Sequence, residues 1–248
     1  MNLFAEAIAW IFSPDRLTDN VPLQTLIVQH LFYTFLSVLI AAVIAIPLGY
    51  VIGHTGRGRE LAVGISGAAR AVPSFGLILL LVLVIGVTQK PLAASIAFVL
   101  LAIPSILAGA YAGLEQVDRR VIDSARSVGM TQWQVLWKVE IPLGLPLLIG
   151  GLRAATLQVV ATVTLAAYIG LGGLGLPIIE GLALRRFDQM LGAALVIVVL
   201  ALALDGLFAL LQHAVVPRGV AGVRPQKLRS SPSRRSAVMG TPIEEGKR

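Results

Sequence analysis

The run 91-PLAASIAFVLLAIPSILAGAYAGL-114, followed at once by 115-EQVDRRVIDSARSVGMTQWQVLWKVEIP-142, decides the fold. The first 24 residues carry no Asp, Glu, Lys or Arg, whereas eight of the next 28 are charged. A helix of about 20 apolar residues crosses a bilayer. The first part therefore predicts a membrane span and the second a loop in water. Within the loop Leu114, Val117, Val121, Ala125 and Val128 recur at helical spacing as one apolar stripe. Arg119, Arg120, Asp123, Arg126 and Ser127 fall away from it, and Glu115–Arg119 and Arg119–Asp123 have the i, i+4 spacing of helical ion pairs. Gly129 stands where a left-handed C′ residue ends a helix with least strain. Thr131 and Gln134 have the spacing of a capping box, which starts a second helix immediately. Trp133, Leu136 and Trp137 share one face of that helix, and Pro142 and Pro146 are expected to end it. The expectation is a helix–turn–helix between two spans. Periodicity alone leaves equally open an amphipathic helix that lies on the bilayer.

Working outward, four more stretches match a span. Val21–Gly53 is free of Asp, Glu, Lys and Arg and is most apolar over Leu31–Ile52. Leu61–Val87 is interrupted by Arg70, with a kink expected at Val72-Pro73-Ser74. Beyond the loop lie Leu143–Ile169, containing Arg153, and Leu191–Val216, containing Asp205. The glycine-rich stretch Gly170–Leu184 is either a short re-entrant helix or a sixth pass. The fold class is all-α integral membrane, with about five transmembrane helices, six if that stretch crosses. Composition agrees: 56% of residues are hydrophobic and 13% charged, about half the charged share of a soluble domain. Too few charges remain to coat the surface against water.

The net charge of +7 is mostly a property of the C-terminus. Residues 217–248 hold eight Lys/Arg and two Glu, while everything before them holds twelve basic and eleven acidic residues. No basic face for nucleic acid follows, and the tail is expected to be disordered in the cytoplasm. Placing the 115–142 loop in the cytoplasm puts fourteen Lys/Arg inside and four outside, as basic residues favour the cytoplasmic side. The N-terminus is then external and the C-terminus cytoplasmic. Met1–Phe12 has no basic n-region and Glu6 interrupts it, so residues 1–20 are read as an external or interfacial segment rather than a cleaved signal. Residues 21–216 form the membrane domain.

Asp123-Ser124-Ala125, then Gly129, then Ile141-Pro142 resembles the EAA loop of ABC importer permeases, with Asp123 and Ser124 in place of Glu and Ala. Gln158 through Thr164 and then Leu165-Ala166-Ala167-Tyr168-Ile169-Gly170-Leu171-Gly172-Gly173-Leu174-Gly175 is similar to permeases for glycine betaine, choline and other osmoprotectants. The resemblance implies that the helix before Gly129 is a coupling helix docking on an ATPase through Val121, Asp123, Ser124, Ala125, Arg126 and Gly129. It implies a cytoplasmic ABC ATPase dimer, a second permease subunit (the same or a similar chain) and an extracytoplasmic solute-binding protein as partners. It also implies import across the cell membrane of a small zwitterion or quaternary ammonium compound. Solute selectivity would then reside in the binding protein.

Isolated polar residues in spans mark functional candidates because a charge in lipid is costly. Arg70, Gln158, Thr162 and Tyr168 are the candidates for lining a pathway. Arg153 is expected to snorkel towards the cytoplasm, and Asp205 to pair with a base or to carry a proton. Thr156, Thr162 and Thr164 are expected to bond between helices. Among the aromatic residues of the spans only Phe32, Tyr33 and Phe35 are close in sequence, with Tyr33 turned away from the other two. His30, His54 and His213 are scattered, the chain has no cysteine, and no Gly-x-x-x-x-Gly-Lys-Ser/Thr loop occurs. No metal, cofactor or enzymatic chemistry is therefore expected of this chain. The rivals are an ion-gradient-driven transporter or channel subunit, and an intramembrane enzyme.

Overall fold

A computed structural model describes residues 2–14 and 21–215. The basic tail 217–248, with its expected disorder, and Arg16 of the charge count lie outside the described residues. The elements are all helical: α1 (Leu3–Ile11), α2 (Leu23–Thr55), α3 (Arg59–Ala71), α4 (Ser74–Ile85), α5 (Lys90–Glu115), α6 (Arg119–Ser127), α7 (Gln132–Ile169), α8 (Leu176–Ala183) and α9 (Phe187–Val215). Among the described residues α2, α5, α7 and α9 are each long and apolar enough to cross a membrane. The pair α3 and α4 makes a fifth candidate.

That pair is a sharply bent span rather than one straight helix. The two helices meet at 89°, because Pro73 pushes Val72 into an extended conformation (φ −72°, ψ 126°) and no helix continues through it. The kink lies where expected but is a full break. Gly170–Leu184 settles as the short-helix alternative. After a turn, α8 has eight residues, about 12 Å of helix, which is too short for a sixth crossing.

The core is the crossing of α2, α5 and α7. Apolar burial does little to hold helices together in lipid, so close backbone packing must. Here glycine supplies it. A Cβ added to Gly109 or Gly113 of α5 would sit 2.7 or 2.6 Å from the backbone oxygens of Leu147 and Gly144 on α7. On the other side, one added to Gly53 of α2 would sit 2.8 Å from the Tyr111 oxygen. Phe98, Ile106, Val159 and Val163 belong to the same apolar core and are fully buried. The outward faces of α2 and α9 present Leu39, Val43, Leu48, Leu202, Leu207 and Leu210, all exposed as a lipid-facing surface requires. The N-terminal helix α1 lies against α9, with the Trp10 ring over Gly192.

Two details of the 115–142 loop differ from the periodicity. The apolar stripe is not one helix: α5 ends at Glu115 and Asp118 starts α6, its carboxylate accepting from Arg120 N–H at 2.9 Å. Leu114, Val117 and Ala125 are buried while Val121 and Val128 are exposed. Glu115 pairs with Arg59 at 3.3 Å rather than with Arg119. The prolines do not end the second helix either. Leu136–Glu140 forms a wide π turn in which Ile141 N–H donates to Leu136 O, five residues back. Pro142 then falls in the first turn after it, where a missing N–H is tolerated. The helix runs unbroken from the loop into the span.

Candidate functional site

The loop presents a short, rigid projection. Beyond Asp118 at its start, Ser124 Oγ donates to Arg120 O at 2.7 Å and Ser127 Oγ to Asp123 O at 2.9 Å. At its end Gly129 N–H donates to Arg126 O and Met130 N–H to Ala125 O, the paired closure of a Schellman motif. Gly129 has φ +86°, and a Cβ there would meet nothing within 4 Å. The demand for glycine is thus conformational and not steric. The capping box forms as its spacing predicted: Gln134 N–H donates to Thr131 Oγ1 at 3.4 Å and Thr131 N–H to Gln134 Oε1 at 2.9 Å. Arg126 Nη2 also reaches Gln132 Oε1 across the turn at 3.2 Å.

Of the six docking candidates, Val121, Asp123, Ser124, Arg126 and Gly129 are exposed on this projection. Ala125 is buried and seats α6 on its base. That base holds a feature which scattered histidines did not suggest. His54, at the end of α2, donates from Nδ1 to Glu140 Oε2 at 2.5 Å. Glu140 is only 4% exposed, so this polar pair fixes the π turn of α7 to α2. Beside it lies a polar cavity of about 670 Å³ lined by Arg59, Glu115, Arg119, Asp123 and Arg126 together with the pair. On the other side Trp133, Leu136 and Trp137 share a face as expected and line an apolar recess of about 530 Å³ with Tyr50 and Val51.

Within the spans, Arg153 and Asp205 form an ion pair. The guanidinium makes a two-pronged contact with the carboxylate, Nε to Oδ1 and Nη2 to Oδ2. Seven residues away on each helix, Gln212 Nε2 donates to Pro146 O at 3.1 Å. These two rungs fasten α9 to α7. The threonines bond their own helix, not a neighbour: Thr156 Oγ1 donates to Leu152 O, Thr162 to Gln158 O and Thr164 to Val160 O. A hydroxyl four residues along from a carbonyl reaches it without any partner helix.

The pathway candidates do not all behave alike. Thr162 is buried, and Gln158 is partly buried with its Oε1 3.5 Å from Ser105 Oγ. Arg70 is exposed at the C-terminal end of α3 and has no hydrogen-bond or ion-pair partner among the described residues. Tyr168 is 56% exposed, and its ring lies edge-to-face with Phe75, centroids 5.4 Å apart. Phe75 follows the α3–α4 break, so the structure unites two aromatic residues 93 positions apart. Tyr33, expected to point away from Phe32, meets it edge-to-face at 5.6 Å.

At the other end of α7 the glycine-rich stretch is tied down. Leu174 N–H donates to His30 Nδ1 at 3.3 Å, and His30 Nε2–H donates to Val160 O at 3.0 Å. Gly173 N–H donates to Gln29 Oε1 at 3.2 Å. His30 is fully buried, and its two bonds fix one neutral tautomer. No sequence signal marked this clamp, because its partners are backbone groups more than a hundred residues away. Among the described residues no group of three or more His, Asp and Glu is placed to hold a metal ion.

A family model described as "Binding-protein-dependent transport system inner membrane component" matches residues 45–219. The chain is 33% identical over 219 residues to the carnitine transport permease protein OpuCB of Listeria monocytogenes, covering 88% of this chain and 98% of that one. It is 35% identical over 204 residues to the osmoprotectant import permease protein OsmW of Salmonella typhimurium, covering 80% and 94%. With the glycine betaine/carnitine/choline transport system permease protein OpuCB of Bacillus subtilis it shares 30% identity over 79% of this chain and 89% of the other. Among solved structures, a chain of the inward-facing MetNI methionine ABC transporter superposes with a TM-score of 0.67 at 22% identity, covering 76% of this chain and 94% of that one.

Proposed function

This chain belongs to the family of binding-protein-dependent transport system inner membrane components, and we propose from that membership that it is the permease subunit of an ABC importer for small osmoprotectants. It is a multi-pass membrane transport protein. Its solute is a zwitterion or quaternary ammonium compound such as glycine betaine, carnitine or choline, the solutes named for its relatives. The partners are an ABC ATPase dimer in the cytoplasm, a second permease subunit, and an extracytoplasmic solute-binding protein. The N-terminus is external and the C-terminus cytoplasmic, residues 21–216 forming the permease domain.

The observation that carries the coupling role is the projection α6, closed at Gly129 and seated through Ala125. Rigid elements transmit rigid-body motion between packed units. Val121, Asp123, Ser124, Arg126 and Gly129 meet the ATPase, while Ala125 supports them from behind. The ion-driven alternative rested on Asp205 as a proton site, and that carboxylate is engaged by Arg153. The test is uptake into proteoliposomes containing this chain with its ATPase, any second permease and its binding protein. ATP-dependent accumulation of radiolabelled glycine betaine, insensitive to dissipation of ion gradients, is expected. Uptake that follows a proton or sodium gradient without ATP overturns the assignment.

A further inference from the structure

We propose that Arg70, Phe75 and Tyr168 form a two-headed site on the transport pathway that takes a zwitterion by both ends. The aromatic rings receive the quaternary ammonium and the guanidinium receives the carboxylate. The inference rests on the osmoprotectant reading and adds to it where in the permease the solute pauses and how it is held.

Three independent observations meet at the α3–α4 break. The first is the ring pair itself. A quaternary ammonium has no N–H to donate, so attraction to aromatic faces is the principal specific contact open to it. Phe75 and Tyr168 lie edge-to-face, an arrangement that leaves ring surface free, and Tyr168 is more than half exposed. The second is Arg70. It lies within a segment that otherwise passes for a span, and no described residue neutralises it. A charge there requires water, a partner or a ligand. The third is the break. Arg70 sits three residues before Pro73 and Phe75 two after it. The two positions therefore flank the 89° bend between their helices. Broken helices at membrane depth are tolerated where they line a cavity.

The chemistry follows from charge. The guanidinium attracts the carboxylate of a betaine through charge-assisted hydrogen bonds and repels its ammonium, so the zwitterion is oriented with its cationic end on the rings. Choline, which has the ammonium and a hydroxyl but no carboxylate, gains only the aromatic half. The permease therefore prefers betaines over choline beyond the preference of its binding protein. Gln158 and Thr162 are not needed for this site.

The experiment compares uptake of glycine betaine and choline by the complete reconstituted importer, with saturating liganded binding protein so that its selectivity is common to all variants. Arg70→Gln should lower the rate for glycine betaine about 5-fold or more, leaving choline unchanged or raised. Phe75→Ala and Tyr168→Ala should lower both about 3-fold or more, and Tyr168→Phe should restore both. Uptake is expressed per assembled complex, measured for each variant. Equal losses for the two solutes in Arg70→Gln, or unaltered uptake in both alanine variants, overturn the site. A wild-type complex that carries neither solute instead removes the osmoprotectant reading from which the site takes its chemistry.

Discussion

His54 and Glu140 join the end of α2 to the π turn at the foot of α7, with Nδ1 and Oε2 2.5 Å apart. They lie 86 residues apart in sequence, and the polar loop hangs from the second of them. Removing one member of this part-buried polar pair leaves the other without its partner, whereas removing both leaves an apolar contact. Glu140→Leu and His54→Leu alone should each lower the thermal midpoint in detergent. The double variant should be less destabilised than the sum of the two, with a coupling of about 1 kcal/mol or more. Additive losses would show that the two side chains do not act as a unit.

Gly129 offers a clean separation of conformation from space. A Cβ there meets nothing within 4 Å, so the cost of a valine lies chiefly in the left-handed backbone, about 1 kcal/mol or more. Solute-stimulated ATP hydrolysis should fall sharply in Gly129→Val with membrane insertion retained. Gly129→Asn should keep more of it, because asparagine tolerates that conformation better. Equal stimulation in the wild type and Gly129→Val would detach this turn from coupling.

Gly113 is the opposite case, limited by space alone. Gly113→Val drives a side chain into the Gly144 backbone and should destabilise the bundle by several kcal/mol, while Gly64→Ala, with nothing within 4 Å, should be silent. Yield of folded monodisperse protein after detergent extraction distinguishes the two.

Arg153 and Asp205 should show charge dependence. Either Arg153→Leu or Asp205→Leu strands a charge in a span and should reduce folded protein strongly, and the double leucine variant should recover much of it. Failure of the double variant to improve on either single one would mean that the pair does more than fasten α9.

The topology has its own check. Single cysteines at Ser127 and Gln89 should react with an impermeant maleimide from opposite faces, Ser127 from the cytoplasm. Labelling of both from outside reverses the orientation assigned from the basic residues.

What the sequence disclosed was whatever depends on local periodicity or a local conformational rule. The spans followed from apolar length, the closure at Gly129 from φ, and the capping box from the spacing of Thr131 and Gln134. The stripe through Val121 and Val128 misled, since Asp118 caps a fresh helix and shifts the face that is buried. Pro142 misled because it follows a wide turn and falls in a first turn, and Pro146 lies inside the helix without ending it. His30 with Leu174, His54 with Glu140 and Phe75 with Tyr168 were hidden because each is a contact between distant segments. The close crossing does leave a local mark: Gly49/Gly53 and Gly109/Gly113 are both spaced four apart, the pattern of closely packed membrane helices.

The unbroken course of Gln132–Ile169 has a mechanical corollary. At 38 residues the rod is about 57 Å long, more than the thickness of the hydrocarbon it crosses. One end carries the tryptophan face beside the polar loop, and the other leads into the turn that Gln29 and His30 hold. Between them Gly144 and Gly151 press against Gly113 and Gly109 with no side chain interposed. Such a contact acts as a fulcrum. A tilt of a few degrees imposed at the loop end would therefore reappear, reversed in direction, at the far end, without any residue in the middle having to change its neighbours.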